Sequence, residues 1–293
     1  MDDRLLRHPL GFWQVKEMPE LDALRAYYAD RYYQADQGNY RPAYPPEEIA
    51  WFDMKTERVV AALASVRSGA QPCKPGTFLD VGCGEGFAMN WFDRQGWTVR
   101  GLDFSRAGME RMNPRLLDRL ETGDLQELLE AELAAGNTYD VLWLTNVLEH
   151  VADPVAMLVR LRKLVARGGA LVVTVPNDGS AWQEFVYAGK HIPERFWIAI
   201  PDHLSYFDAK SLHAIADATG WSCAKLMADF PIDWFLGNPE SEYVSQRSKG
   251  RGAHRARIAV DTVLAGQPLD AVNNFYAAMA AVGMGRQLTA ILV

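Results

Sequence analysis

Phe78-Leu79-Asp80-Val81-Gly82-Cys83-Gly84-Glu85-Gly86-Phe87 is the stretch on which the fold of this chain turns. An apolar run ends in an acid and a glycine-rich turn follows. Residues 88–95 then read as a helix closed by Gly96. Strand, tight loop and helix in that order form the opening unit of a nucleotide-binding α/β sheet. The glycines let the backbone approach a ligand and take conformations that a side chain forbids. Their spacing is G-x-G-x-G (Gly82, Gly84, Gly86), and bulky Phe87 stands where a dinucleotide fingerprint needs its third glycine. Asp80 puts a carboxylate at the mouth of the loop, which repels a pyrophosphate and attracts a ligand carrying positive charge.

Working downstream, a second strand at 98–102 ends at Asp103. A carboxylate at that tip accepts ribose hydroxyls, a device shared with dehydrogenases, or caps the helix that begins near Ser105. A third strand is faintly marked within 116–122 and leads to Gly123-Asp124-Leu125, where Asp124 reads as a ligand contact or as a polar turn residue. The fourth strand, 141–144, runs into Thr145-Asn146-Val147-Leu148-Glu149-His150. Asp153 suits an N-cap and Pro154 a first helical residue, and that helix should run through Val165 to Gly168-Gly169. The fifth strand, 170–175, is continuously apolar, as a strand covered on both faces must be. Strands alternating with helices predict a doubly wound parallel sheet, with a ligand crevice at the carboxyl ends of its strands. Asp80, Asp103, Asp124, Asn146, His150 and Asn177 fall on that edge.

The flanks are less regular. Residues 20–34 suit an amphipathic helix, and Tyr27, Tyr28, Tyr32, Tyr33, Tyr40 and Tyr44 make the region rich in tyrosine, as packing or as a lid. Pro45-Pro46-Glu47-Glu48 starts another helix with Ile49, Phe52, Thr56, Val59, Val60 and Leu63 on its buried face. Residues 69–76 link it to the first strand. Residues 179–201 are aromatic and read as core cover or as the wall of an acceptor pocket. Pro201-Asp202-His203-Leu204-Ser205-Tyr206-Phe207 precedes a helix capped by Asp208 and ended by Gly220. A sixth strand falls at 221–230 and a seventh at 287–293. Between them, 231–286 carries a helix at 269–282 and a basic run of Arg247, Lys249, Arg251, His254, Arg255 and Arg257. That run is a solvated face or an electropositive arm for an anionic acceptor.

With 293 residues, 49% of them hydrophobic, the chain can bury a sizeable core. A net charge of −7 argues against a dedicated nucleic-acid binder, and three scattered cysteines form no disulfide framework or metal pair, which fits a reducing cytoplasm. No apolar run approaches the length of a membrane span.

Residues 80–86, Asp103, Gly123-Asp124, the 146–150 stretch and Gly168-Gly169 resemble, in order and spacing, the class I S-adenosylmethionine-dependent methyltransferases. The resemblance covers residues 76–176. The 203–207 segment resembles a branch that includes ubiquinone-type O-methyltransferases and methyltransferases of sugars, polysaccharides and natural products. The tyrosines and Gly283-Met284-Gly285 incline to the sugar or polysaccharide side, with a phenolic, quinone-type or natural-product acceptor as the alternative. The resemblance implies an α/β fold with a doubly wound, seven-stranded, mostly parallel sheet. Its parts are a helical N-terminal extension or lid (1–75), a methyltransferase core (76–230), a helical insertion (231–286) and a last core strand (287–293).

The resemblance further implies a pocket for S-adenosylmethionine, and for its product S-adenosylhomocysteine, built from Asp80, Gly82, Cys83, Gly84, Gly86, Phe87, Asp103, Phe104, Asp124, Leu125, Thr145, Asn146, His150 and Tyr33. An acceptor hydroxyl would attack the methyl group in line, with His203 or His150 as general base. Each histidine is otherwise a structural residue bonded to backbone. Some ubiquinone-type members bind a metal through E-x-x-E-H. The matching residues here are Asn146, Glu149 and His150, so no required metal is expected. The partner expected is a small-molecule or glycan acceptor, anionic if the basic run faces it. A nicotinamide-dependent oxidoreductase and a non-catalytic cofactor-binding module stay open as other classes.

Overall fold

Continuous apolar runs need helices on both sides, so the strands that carry them belong at the centre of a sheet. The computed structural model describes residues 2–20, 24, 27, 43–68 and 75–293. Its strands, in chain order, are β1 (Leu5–Arg7), β2 (Trp13–Val15), β3 (Thr77–Val81), β4 (Thr98–Asp103), β5 (Leu120–Thr122), β6 (Tyr139–Thr145), β7 (Val165–Pro176), β8 (Ser205–Tyr206), β9 (Cys223–Ala228) and β10 (Gln287–Leu292). Seven of them form one sheet of order β5-β4-β3-β6-β7-β10-β9. The first five in that order are mutually parallel, and β10 runs antiparallel to both β7 and β9. This is the doubly wound, mostly parallel α/β sheet expected.

Alternate residues of a strand face opposite layers. Leu79, Val81, Leu142, Leu144, Leu171 and Val173 therefore join one core, beneath the helices Pro154–Leu164 and Ala209–Ala218. Phe78, Val141, Trp143, Ala170 and Val172 join the other, beneath Pro46–Ser68 and Phe87–Arg94. Both expected caps form. Asp153 Oδ1 accepts from Ala156 N at 2.9 Å, and Asp208 Oδ1 accepts from Ser211 N at 2.7 Å.

Several expectations need correction. The helix expected to run past Val165 ends at Leu164, and β7 begins at Val165. Tyr139 pairs with Val165 but Val141 pairs with Ala170, so residues 166–169 bulge out opposite Asp140. A Cβ on Gly169 would lie 2.9 Å from the carbonyl oxygens of both Ala166 and Asp140, which only glycine avoids. The N-terminal extension is not purely helical. There β1 and β2 join β8 in a separate three-stranded antiparallel sheet. Three-residue strands are too short for alternation to show in sequence. Leu24 and Tyr27 are helical, while Tyr28, Tyr32, Tyr33 and Tyr40 lie outside the described residues.

On the helix Pro46–Ser68 the expected face holds at Thr56, Val59 and Leu63 and widens to take in Trp51 and Arg58, but its first turn differs. Ile49 is 40% exposed and Glu48 is buried. The aromatic segment builds a satellite core in which Trp182, Tyr187, Phe196 and Trp197 pack with Val186, Ile192 and Leu236. Among the described residues, no helix is long and apolar enough to cross a membrane.

Asn177 turns out to be a joint of the fold. Its Nδ2 donates to Gly283 O at 3.2 Å and to Gly285 O at 3.0 Å, and its backbone N–H donates to Arg286 O at 2.9 Å. These bonds seat the entry to β10 beside the end of β7. Asn177→Ala leaves two carbonyls without a donor and should lower stability by about 1–3 kcal/mol in urea denaturation. An unchanged unfolding midpoint would refute that role.

Candidate active site

Parallel strands deliver their carboxyl ends to one edge, and there the structure opens a cavity of about 870 Å³. Gly82, Gly84 and Gly86 take φ values of +77°, +54° and +73°, left-handed conformations that L residues rarely adopt. The N–H groups of Gly82 and Cys83 donate to Leu102 O at 2.7 and 3.2 Å, which ties the loop to β4. Gly84 N–H donates to Asp103 Oδ2 at 2.7 Å, and Asp103 Oδ1 accepts from Ser105 N at 2.9 Å. Asp103 thus braces the turn ahead of the helix Ala107–Met112, whose N-cap is Arg106 without a side-chain cap, and each carboxylate oxygen keeps a second lone pair.

Asp80, Gly82, Cys83, Gly84, Phe87, Asp103, Phe104, Asp124, Leu125, Thr145, Asn146, His150 and His203 all line the cavity. Gly86 does not. It starts the helix Phe87–Arg94, with the space of a Cβ taken by Met109 Cε at 2.9 Å. Tyr33 lies outside the described residues. Asp124 Oδ1 caps the helix Leu125–Ala134 by accepting from Gln126 N at 2.9 Å and Glu127 N at 3.3 Å. Asn146 is in the left-handed region at φ +54°, and its Oδ1 accepts from Gln287 Nε2 at 2.8 Å. Of the N-terminal tyrosines, Tyr44 reaches the loop. Its hydroxyl donates to Glu85 Oε2 at 2.9 Å and its ring meets Phe87 edge-on at 5.6 Å.

The two histidines come together, with ring centroids 4.9 Å apart and planes nearly perpendicular. His150 Nδ1 donates to Asp202 O at 2.7 Å, which makes Nδ1 the protonated nitrogen of the neutral ring and leaves the lone pair on Nε2. His203 Nδ1 stands 3.3 Å from Asp178 Oδ2, and Asp178 Oδ1 accepts from Arg286 Nη1 at 2.6 Å. Burial favours the neutral acid of Asp178, yet Arg286 and His203 outweigh it and hold its pKa below the usual range. Burial also opposes a charged His203, but Asp178, Glu149 and Asp202 prevail and raise its pKa. Sequence reasoning missed Asp178 and Arg286 as site residues. Arg286 directly precedes the last strand, and only the antiparallel return of β10 brings it to Asp178.

Glu149, His150 and His203 offer ligand atoms that all lie within 4.8 Å of one another. Glu149 is 1% exposed, its Oε2 has no hydrogen-bond partner, and burial pushes its pKa up to about 8. The trio is a donor set for a divalent cation that does not use Asn146, the residue on which the metal-free expectation rested. The aromatic segment 179–201 contributes no wall to the cavity.

Asp80 tests whether the cavity suits a cationic donor. Burial, aided by Asp103, pushes its pKa up to about 8, and it makes no ion pair among the described residues. A positive ligand would restore its charge, so the acid fits S-adenosylmethionine and its product. The sign follows. An unliganded acid with pKa about 8 is neutral at lower pH, and a bound ammonium favours the carboxylate. Calorimetric affinity for S-adenosylhomocysteine should therefore rise from about pH 6 to about pH 8 with proton release, and Asp80→Asn should flatten and weaken it. A flat wild-type profile would remove this role.

A family model described as a methyltransferase domain matches residues 54–226. The chain is 33% identical over 151 residues to a ubiquinone biosynthesis O-methyltransferase of Vibrio cholerae, covering 48% of this chain and 59% of that protein. It is 36% identical over 120 residues to the protein of the same name from Escherichia coli, covering 39% and 49%. The chain thus spans between about half and three-fifths of the length of these relatives. In fold it is similar to a SAM-dependent methyltransferase from Archaeoglobus fulgidus, with a TM-score of 0.50, 16% identity, and 82% and 93% of the two chains covered. The family match takes in β3 to β7 with the glycine loop and with Asp80, Asp103 and Asp124, and by it this chain belongs to the methyltransferase domain family, within the class I S-adenosylmethionine-dependent methyltransferases.

Proposed function

We propose that this protein moves a methyl group from S-adenosylmethionine to a hydroxyl oxygen of a small-molecule acceptor, with His203 as the general base. The observation that carries this is the Arg286–Asp178–His203 chain reaching the same cavity as the glycine loop. When bound, S-adenosylmethionine supplies a methyl group already activated on a sulfonium. The protein's residues do the rest. Asp80 offers the counter-charge, Asp103 accepts ribose hydroxyls while pinning Gly84, and Phe104 and Leu125 flank the nucleoside. Holding both reactants in line can contribute about 7–11 kcal/mol. Asp178, kept ionised by Arg286, orients His203 and strengthens it as a proton acceptor. His150, fixed by the Asp202 carbonyl, packs across the His203 ring.

The relatives' name supports a phenolic or quinone-type hydroxyl, and the rings of Trp51, Phe52, Phe87 and Trp143 that line the cavity suit a flat acceptor. The sugar or polysaccharide reading leaned on tyrosines of which most lie outside the described residues. A cytoplasmic location, read from the scattered cysteines, belongs to this proposal as well.

A panel of catechol, protocatechuate and methyl glucoside, with products read by mass spectrometry, tests the acceptor. An O-methyl ether on an aromatic acceptor is expected. Transfer to the sugar alone would overturn that class, and intact S-adenosylhomocysteine binding with no transfer at all would favour the binding-module reading. His203→Ala should lower kcat by about 10²–10⁴-fold while leaving S-adenosylhomocysteine affinity unchanged. Activity should survive a chelator. Loss of activity that a divalent cation restores would instead assign Glu149, His150 and His203 to a metal.

A further inference from the structure

The helix Pro46–Ser68 carries Glu48, Trp51, Lys55 and Arg58 at spacings that bring them onto one face. The helix Gly250–Ala265 brings His254, Arg257 and Asp261 to meet that face. Trp51 stands between the two helices. Its Nε1 donates to Asp261 Oδ2 at 2.7 Å, and the Lys55 ammonium and the Arg257 guanidinium each lie 4.6 Å from its ring centroid. Arg58 stacks over Tyr276 at 4.1 Å. The basic run is thereby divided. Arg251 and Arg255 are exposed, while Arg257 lines the cavity with Lys55 and Arg58.

The acids nearby take their hydrogen bonds from other groups. Glu48 Oε1 accepts from His254 Nε2 at 2.6 Å, and Asp261 Oδ1 accepts from Tyr276 Oη at 2.5 Å. Arg286 is neutralised by Asp178. Among the described residues, no carboxylate lies within ion-pair distance of Lys55, Arg58 or Arg257. Asp229 is the acid that shares their part of the cavity. Its Oδ1 accepts from Arg286 N at 2.8 Å and Gln287 N at 2.7 Å. Within the cavity lining the three cations therefore share Asp229, while Asp261 and Glu48 act on them from the seam between the two helices, outside that lining. Arg58 is only 8% exposed, and its Nη1 and the Nε of Arg257 have no hydrogen-bond partner. Arg257 Nη2 donates to neutral His254 Nδ1 at 2.7 Å, so among the described residues neither guanidinium meets a carboxylate directly, and a buried cation without a counter-charge is costly unless a ligand supplies it. Lys55 shows the strain. Burial pushes its pKa down to about 8, and Arg257 and Arg58 add to that against the pull of Asp229 and Asp261.

The sheet order separates this group from the donor half. Asp103 and Asp80 stand at the ends of β4 and β3, whereas Asp229 and Gln287, to which Lys55 Nζ donates at 3.4 Å, belong to the β9 and β10 side. We propose that Lys55, Arg58 and Arg257 form an oxyanion subsite that binds a carboxylate or phosphate group carried by the acceptor. It rests on the methyltransferase reading, since that reading makes this half of the cavity the acceptor's.

The test is calorimetry on the whole protein, with and without S-adenosylhomocysteine, using protocatechuate against catechol and glucose 6-phosphate against glucose. One anionic probe should bind about 10-fold or more tightly than its neutral counterpart, and the pair that does so identifies carboxylate or phosphate as the group read. Arg58→Gln and Arg257→Gln should each abolish the preference while S-adenosylhomocysteine still binds. In the wild type, inorganic phosphate should displace the anionic probe, a readout independent of how the variants fold. Equal or absent binding within both pairs, a preference that survives both substitutions, or no displacement by phosphate would overturn the subsite. An anion preference without any S-adenosylhomocysteine binding would leave the subsite standing and remove the donor-site reading instead.

Discussion

The hydrogen bond from Gly84 N–H to Asp103 Oδ2, at 2.7 Å, joins the loop after β3 to the tip of β4. A tight loop of left-handed glycines has little to hold it, because it carries almost no side chains to pack. Here a buried carboxylate holds it from the neighbouring strand, and the same carboxylate faces the cavity. The loop cannot move without disturbing Asp103, and Asp103 cannot be lost without loosening the loop. Asp80 depends on the same arrangement. It is buried next to Asp103, which raises its pKa and leaves it in want of a cation.

The donor half was legible in the sequence because parallel strands put consecutive strand ends on one edge. Asp80, Asp103, Asn146 and His150 each follow an apolar run, Asp124 follows the faint strand β5, and the sheet brings them together by topology alone. The side of the cavity that holds the cations obeys no such rule. Arg286 reaches Asp178 because β10 is antiparallel, and the direction of a last strand leaves no mark on its own sequence. Lys55 and Arg58 carry no mark of a site in the sequence, since polar residues at helical spacing are normally exposed. Only the arrival of the helix Gly250–Ala265 makes that face an inner wall. The basic run was seen as a unit, but at 3.6 residues per turn Arg257 turns inward while Arg251 and Arg255 turn to solvent. Residues 179–201 left two readings open, and burial around Ile192 and Leu236 decides for packing.

Charge is distributed along the cavity with a sense. Acids gather at β3 and β4, the histidine pair lies past β6, and cations gather toward β9 and β10. A cationic donor and an anionic acceptor would each be drawn to its own end, with the proton acceptor between them. Because the wall is largely protein rather than solvent, these fields act at short range with little screening.

The small sheet of β1, β2 and β8 gives the proposed base, His203, a mounting. The peptide at Leu204-Ser205 is gripped from both sides, with its N–H groups donating to Glu149 O at 2.8 and 3.1 Å and Leu204 O accepting from Val15 N at 3.0 Å. His203 is the next residue along. A group that must take a proton works best when its surroundings do not have to rearrange as charge appears. Residues 5–15, remote from the site in sequence, thus brace the segment that carries His203, and for the base proposed above the stiffness of that brace would contribute to rate without any contact with either reactant.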